Sequence, residues 1–278
     1  LTKQDIEVVG RAVLVDRDLS PSEAVWRAIE WVEHNLEYDT ERAELVMRLA
    51  KPLVYHPLKL IDVGKGICTD FALLYTATML YANISPVYIV ALIDYRHVVT
   101  VVPINGTLIV LEQHLPPIEF SDYIQYILGG YLGRVRIYRV ELGSKGVEYR
   151  VLGLESIEYL LRDSYPQDVI DPRIGVEIAK RLSALYGFNL SPALEPLAEL
   201  GINTLIITLP EVYLGDRGSV GIYRFYSPIF RDMWVQYLAD IAAKYLKPLA
   251  DRDGDISIWV VVKGNELRIA IASGSSVS

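Results

Sequence analysis

An α+β chain in two parts is what the sequence predicts, and three observations carry that reading. Apolar residues recur at helical spacing through the first eighty positions, and short Val- and Ile-rich runs broken by turn signals follow them. From about residue 154 the pattern changes to helical stretches interleaved with isolated strands. The division expected is therefore 1–153 and 154–278, the second part an α/β or α+β unit of unspecified role. No fixed-period repeat runs through either part.

Ser20-Pro21-Ser22-Glu23 reads as a helix start, with Ser20 as N-cap, Pro21 in the first position and Glu23 completing a capping box. Val25, Ile29, Val32 and Leu36 continue it at helical spacing. A second helical pattern covers about Glu41 to Leu53. Gly64-Lys65-Gly66 breaks the chain, and Phe71, Leu74, Tyr75, Thr78 and Met79 mark a third helix from Cys68 to about Ala82. Strands are expected at Pro86 to Asp94, His97 to Pro103 and Thr107 to Glu112, the last two joined by the hairpin signal Asn105-Gly106. Two more fall at Val135 to Leu142 and Val147 to Leu152. Beyond them the reading gives helices at Leu154 to Arg162, Gly175 to Tyr186, Ala193 to Leu200 and Pro228 to Leu246. Strands are placed there at Thr204 to Leu209, Ile256 to Val262 and Leu267 to Ala272.

Composition excludes several classes. With 51% hydrophobic residues among 278 the chain has ample core and is neither disordered nor collagen-like. A net charge of −8 and a pI near 5.1 oppose a nucleic-acid or anionic-lipid partner. A single cysteine rules out an internal disulfide and any multi-cysteine metal site. The longest nearly unbroken apolar run, Ile84 to Ile93, is far short of a spanning helix, so a soluble domain is expected. The chain starts at Leu1 rather than Met, which leaves room for a removed N-terminal signal or anchor and keeps cytoplasmic and extracytoplasmic locations open. Asn and Gln total 11, a low amide content that suits a hot habitat.

One constellation carries chemistry. Cys68 opens a helix directly after a glycine-rich turn, where the helix dipole and free N–H groups lower a thiol pKa and can face a developing oxyanion. Taken alone, a lone cysteine is more often a small buried hydrophobe. His97 starts a strand 29 residues later, and Glu112 ends the next strand after a further 15. The hairpin between them would set the imidazole beside the carboxylate, the arrangement that orients the base in thiol and serine triads.

The stretch Gly66-Ile67-Cys68-Thr69-Asp70-Phe71-Ala72-Leu73-Leu74 resembles the G-x-C-x-D-x-A-x-L segment of transglutaminase-like domains. Trp31-Val32-Glu33-His34-Asn35-Leu36-Glu37-Tyr38-Asp39 is similar to that family's upstream helix, and Asn83-Ile84-Ser85-Pro86-Val87-Tyr88 to its link into the first strand. The resemblance, over about residues 20–115, implies a papain-like core: a helix bearing Cys68 packed on an antiparallel sheet bearing His97 and Glu112. It implies an archaeal or bacterial type of enzyme, with His97 in the place of the family's base and Glu112 in that of its usual Asp. Two departures stand out. Val98-Val99 follow His97 where many relatives have a small residue and then Trp, and Glu112 carries one extra methylene. Gln113 and His114 are candidates to share or take the orienting role, and Tyr55 and Gln113 are candidates for the oxyanion or substrate contact. Asp70 is assigned a structural role in the first turn of the helix.

The activity implied is acyl transfer through a thioester, with no cofactor and a protein or peptide substrate. Hydrolysis of a peptide, isopeptide or amide bond is preferred; transamidation by the same triad and an inactive binding module are the alternatives. Other motifs read as structure. His34, His56, His97 and His114 have no zinc-ligand spacing, and Asp251-Arg252-Asp253-Gly254-Asp255 lacks the closing Glu of a calcium loop. Lys65 lies outside any phosphate-loop frame, and Asn105-Gly106-Thr107 serves as a turn rather than a glycosylation acceptor. Tyr223, Tyr226 and Tyr237 are expected in core or interface. Oligomeric state is left open.

Overall fold

In the computed structural model the first elements are helices tied down by side-chain caps. The described residues are all except 50–52, 145, 162–169, 172, 215–216, 251–254 and 275–278, so most of the calcium-loop-like stretch lies outside them. The chain divides into two compact units, Leu1–Ser164 and Tyr165–Ser278.

In the first unit, α1 (Lys3–Leu14) starts with a capping box between Thr2 and Asp5, and α2 (Pro21–Asn35) with the Ser20–Glu23 box read from the sequence. The sequence reading passed over α1, although Thr2-x-x-Asp5 was the available signal. β1 (Glu37–Tyr38) leads into α3 (Thr40–Leu49), where Arg42 is the buried residue. A second overlooked helix, α4 (Pro57–Val63), begins with Pro57 and ends at Gly64, whose φ of 75° is the left-handed conformation glycine tolerates. β2 (Lys65–Gly66) then pairs parallel with β1, Tyr38 opposite Gly66. Directly after it comes α5 (Cys68–Tyr81).

α5 is buried along most of its length and on every side, as expected of a central core helix. It packs on β3 (Val87–Leu92) and β4 (His97–Ile104), the middle of an antiparallel sheet. The sheet continues through β5 (Thr107–Leu111) to the short β6 (Ile118–Glu119). On the other side it runs through β7 (Val135–Leu142) to β8 (Val147–Leu152), giving the order β6-β5-β4-β3-β7-β8. Ile104 pairs with Thr107 around Asn105 and Gly106, both at positive φ, the two-residue turn that suits the twist of a hairpin. Between β6 and β7 a short helix, α6 (Phe120–Asp122), runs into a π-helical turn over Tyr123–Ile127.

The helix expected at Leu154 to Arg162 is absent from the described residues there. Two 3-10 turns, Leu154–Ser156 and Glu158–Leu160, take its place. Ile157 is the buried residue of that stretch, too little apolar surface to hold a helix down. These turns belong to the first unit, whereas the expected 153/154 division assigns them to the second.

The second unit is α+β. α7 (Arg173–Tyr186), β9 (Asn189–Leu190), α8 (Glu195–Leu200) and β10 (Thr204–Thr208) precede a small hairpin of β11 (Glu211–Tyr213) and β12 (Ser219–Gly221). The long α9 (Arg231–Ala250), β13 (Asp255–Lys263) and β14 (Glu266–Gly274) complete it. Its main sheet has the order β10-β14-β13-β9, antiparallel except where β9 meets β13. α7 approaches β13 closely because Gly175 lies against the backbone at Val260, where a Cβ would collide. Tyr226 and Tyr237 both set their rings edge-on to the fully buried Trp234, in the core of this unit.

Candidate active site

The site is built where α5 begins. Asn, Asp, Ser or Thr usually caps a helix, but the residue before Cys68 is Ile67, which has nothing to accept with. Asp70 supplies what is missing. Its carboxylate accepts from the Ile67 amide at 2.8 Å and from the Tyr55 amide at 2.6 Å, and it pairs with the buried guanidinium of Arg42. Asp70 is completely buried. The ring of Tyr55 covers the Arg42 guanidinium with 3.6 Å between the cation and the ring centre, and Lys59 reaches the same ring. The structural role expected for Asp70 is thus specific: it ties α3, the strand-like approach to α4 and the first turn of α5 into one dry knot. Tyr55 belongs to that knot. Its ring face packs against two cations.

Cys68 stands on the outer side of this turn, half-buried. His97, the first residue of β4, pairs with Leu92 on β3, and the β4–β5 register carries Glu112 to a position diagonal to it. His97 Nε2 lies 2.8 Å from Glu112 Oε1. Burial disfavours a charged His97 ring, but the Glu112 carboxylate and hydrogen bonds to Cys68 and Glu112 outweigh it, and the pKa rises to about 10. With Nε2 held by Glu112, Nδ1 is the ring nitrogen left to face the thiol. The ring is 27% accessible, so solvent moderates the pair's strength while leaving the sign of the shift intact.

Glu112 is itself held from two directions. Tyr123, on the π turn, donates its hydroxyl to Oε1 at 2.7 Å, and Tyr75, from α5, donates to the Glu112 carbonyl at 2.6 Å. Burial and then the nearby carboxylate raise both phenols well above their ordinary range, so both remain donors. Tyr38 completes a wall of the site. Its ring stacks on Phe71, and its pKa is raised by burial and by the proximity of Cys68 and Glu112.

Of the neighbours proposed to share the orienting role, Gln113 makes no side-chain hydrogen bond among the described residues. His114 turns instead to Glu33 on α2, with Nδ1 3.4 Å from Oε1. That hydrogen bond raises the His114 pKa. Burial pushes Glu33 up, but His114 and the Leu115 amide bring it below the ordinary carboxylate range. Tyr75 and Tyr123 were not read as site residues. Nothing in the local pattern marks Tyr123, whereas Tyr75 lies on the same face of the helix as Cys68, seven residues on.

Among the described residues no group of three or more His, Cys, Asp or Glu side chains is placed to hold a metal ion, and no helix is long and apolar enough to cross a membrane.

Comparison with known proteins agrees with this architecture. A family model described as a transglutaminase-like domain matches residues 7–139. Relatives are archaeal. A UPF0252 protein of Pyrococcus horikoshii is 26% identical over 263 residues, covering 90% of this chain and 79% of its own length. A UPF0252 protein of Archaeoglobus fulgidus is 32% identical over 139 residues, 44% of each chain. Another, from Pyrococcus furiosus, is 26% identical over 227 residues, 76% of this chain and 62% of its own.

Proposed function

We propose, from the match of residues 7–139 to a family model described as a transglutaminase-like domain, that the chain is a thiol-dependent acyl-transfer enzyme whose working residues are Cys68, His97 and Glu112. The observation that carries this reading is the His97–Glu112 pair, 2.8 Å apart, beside the one cysteine at the start of the central helix.

In the resting state the ring is held as imidazolium by Glu112, and the reacting form of Cys68 is its thiolate. The thiolate attacks an amide carbonyl, and the oxyanion faces the unpaired N–H groups of the first turn of α5. On collapse the C–N bond breaks, and His97 passes its proton to the leaving amine. A thioester on Cys68 and a neutral imidazole remain. Water then enters, His97 takes its proton, and the acid is released with the thiolate restored. An amine entering at the same point gives transamidation instead. The hydrolytic outcome is preferred for a peptide, isopeptide or amide bond, by analogy with archaeal and bacterial members of the family.

The test is the rate of iodoacetamide labelling of Cys68 against pH, in the wild type and in His97→Ala. A working pair labels well below about pH 8, near the free-thiol range, and loses that reactivity in the variant. Slow labelling at every pH, or labelling indifferent to His97, removes the enzyme reading and favours a binding module. If the pair is active, mass spectrometry of peptide substrates incubated with and without a primary amine separates hydrolysis from transamidation.

A further inference from the structure

The far edge of the sheet of the first unit carries a second message. β8 is an edge strand whose one strand partner among the described residues is β7; on its outer side the Leu1 carbonyl accepts from the Val147 amide. Glu148, Tyr149, Arg150 and Val151 are all exposed, Tyr149 at 71% and Val151 at 58%. Edge strands usually protect themselves with charged side chains, Lys above all, with Pro or with a bulge. Val147–Leu152 has neither Lys nor Pro, its charges are the opposite pair Glu148 and Arg150, and it pairs with β7 in unbroken register from Leu142–Val147 to Ile137–Leu152.

Its two faces differ. Glu148 and Arg150 point to one side, Val147, Tyr149 and Val151 to the other. On the charged side Glu148 lies opposite Glu141 and Arg150 opposite Arg139, like charge facing like. Arg139 pairs with Glu141 at 2.7 Å, while Glu148 and Arg150 have no ion pair among the described residues. A cavity of about 550 Å³ opens beside these four side chains. On the apolar side a cavity of about 310 Å³, bounded by Leu1, Leu73, Ile89, Tyr138 and Val140, lies next to Tyr149. The Val147 amide donates to the Leu1 carbonyl at 3.3 Å rather than to β7. The main-chain groups turned outward are therefore those of the odd positions, with Tyr149 at their centre.

We propose that β8 pairs antiparallel with β8 of a second copy of this chain, about a two-fold axis at Tyr149. The sequence Val-Glu-Tyr-Arg-Val is its own complement when reversed. Glu148 meets Arg150 of the second copy and Arg150 meets its Glu148, as an isologous interface requires. The two Tyr149 residues exchange main-chain hydrogen bonds, and Val147 faces Val151 of the second copy, whose carbonyl takes the place of the Leu1 carbonyl on the Val147 amide. The apolar cavity beside each Tyr149 lies on the side to which the second copy brings its own Tyr149 and Val151. A slip of the pair by two residues sets Glu148 against Glu148 or Arg150 against Arg150, so charge alone selects the register. The exposed edge strand of the second unit, β10, has an apolar Ile206 but no charged residue to specify a partner.

Sedimentation velocity of the full chain, from low micromolar to near-millimolar concentration, tests this. The wild type should show a monomer–dimer equilibrium. Arg150→Glu and Glu148→Arg should each raise the dimer dissociation constant by about tenfold or more, since two attractive pairs become repulsive. An equimolar mixture of the two variants should form a heterodimer, and the doubly reversed chain, unchanged in net charge, should dimerise again. Far-UV circular dichroism verifies that each variant is folded. A wild type that stays monomeric overturns the proposal, as does a dimer indifferent to both reversals. Failure of both the mixture and the doubly reversed chain to associate, with all chains folded, overturns it equally.

Discussion

Two carboxylate–cation pairs serve the first turn of α5, one through Asp70 and one beside Cys68, and they differ in access to water. Asp70 and Arg42 are sealed, with side chains 0% and 8% accessible, and are ringed by the Tyr55 and Ile67 amides and the Tyr55 ring. Glu112 and His97 keep about a quarter of their surface accessible and face the thiol. A sealed pair cannot exchange protons or meet a substrate, so all it can do is hold geometry. The open pair is bound firmly enough to have one orientation and is wet enough to work. Position in the fold, more than residue type, separates scaffold from chemistry.

Breaking the sealed pair should have the largest effect. Asp70→Ala leaves a buried guanidinium and the Ile67 and Tyr55 amides without their acceptor, and should cost about 3–5 kcal/mol, read from urea unfolding of the purified chain. Replacing both partners with apolar residues, Asp70→Leu with Arg42→Met, should recover a large part of that loss, because no buried charge is left alone. If the single variant is as stable as the wild type, the knot is not what positions Cys68.

The open pair should behave the other way round. Glu112→Gln should alter stability by less than the Asp70 variant does and slow labelling of Cys68 at pH 6 by about 10²-fold, the lower range for loss of an oriented acid–base partner. Equal losses of stability in the two variants would erase the contrast between them.

The pH dependence of stability sharpens the comparison further. A folded-state pKa of about 10 for His97, against 6.5 unperturbed, gives a stabilisation fully present below pH 6.5. It is lost as the pH rises from there through about 10. Urea midpoints measured across that window should fall more steeply for the wild type than for His97→Ala. The second unit supplies the opposite sign. The hydrogen bonds from Arg173 hold Asp171 down to about 2, so its contribution is present above about pH 3.8 and disappears as the pH falls through 2.

The smallest effect expected is that of Tyr123→Phe. It removes one hydroxyl from a partly buried carboxylate and should cost about 1 kcal/mol. Labelling should slow less than in Glu112→Gln, since the His97 contact survives. A loss as large as that of Glu112→Gln would move Tyr123 from a supporting place to a central one.

Local chemistry made much of this legible in the chain. Ser20-Pro21-Ser22-Glu23 and Asn105-Gly106 each name their own backbone conformation, so α2 and the β4–β5 hairpin could be placed from a few neighbouring residues. The same hairpin, read with Cys68 after its glycine-rich turn, was enough to expect His97 beside Glu112. Periodicity likewise bounded β7 and β8 at Val135–Leu142 and Val147–Leu152. The reading failed where a stretch has helical periodicity but nothing to pack on, as after Gly153, and it passed over α1 and α4 although both carry start signals.

What the sequence by itself determined is therefore short-range: caps, turns, strand alternation, and the order of cysteine, histidine and carboxylate along the chain. Tertiary structure alone decided the contacts between residues far apart in sequence. Arg42 finds Asp70 across 28 positions, and Tyr75 reaches the Glu112 carbonyl across 37. The Tyr55 ring covers the Arg42 guanidinium. Such contacts depend on which surfaces are brought together when α5 is buried against β3 and β4, and no local propensity encodes that choice. The physical reason is that caps and turns satisfy hydrogen bonds within a few residues, whereas a buried polar group takes its partner from whatever the packed core brings within reach.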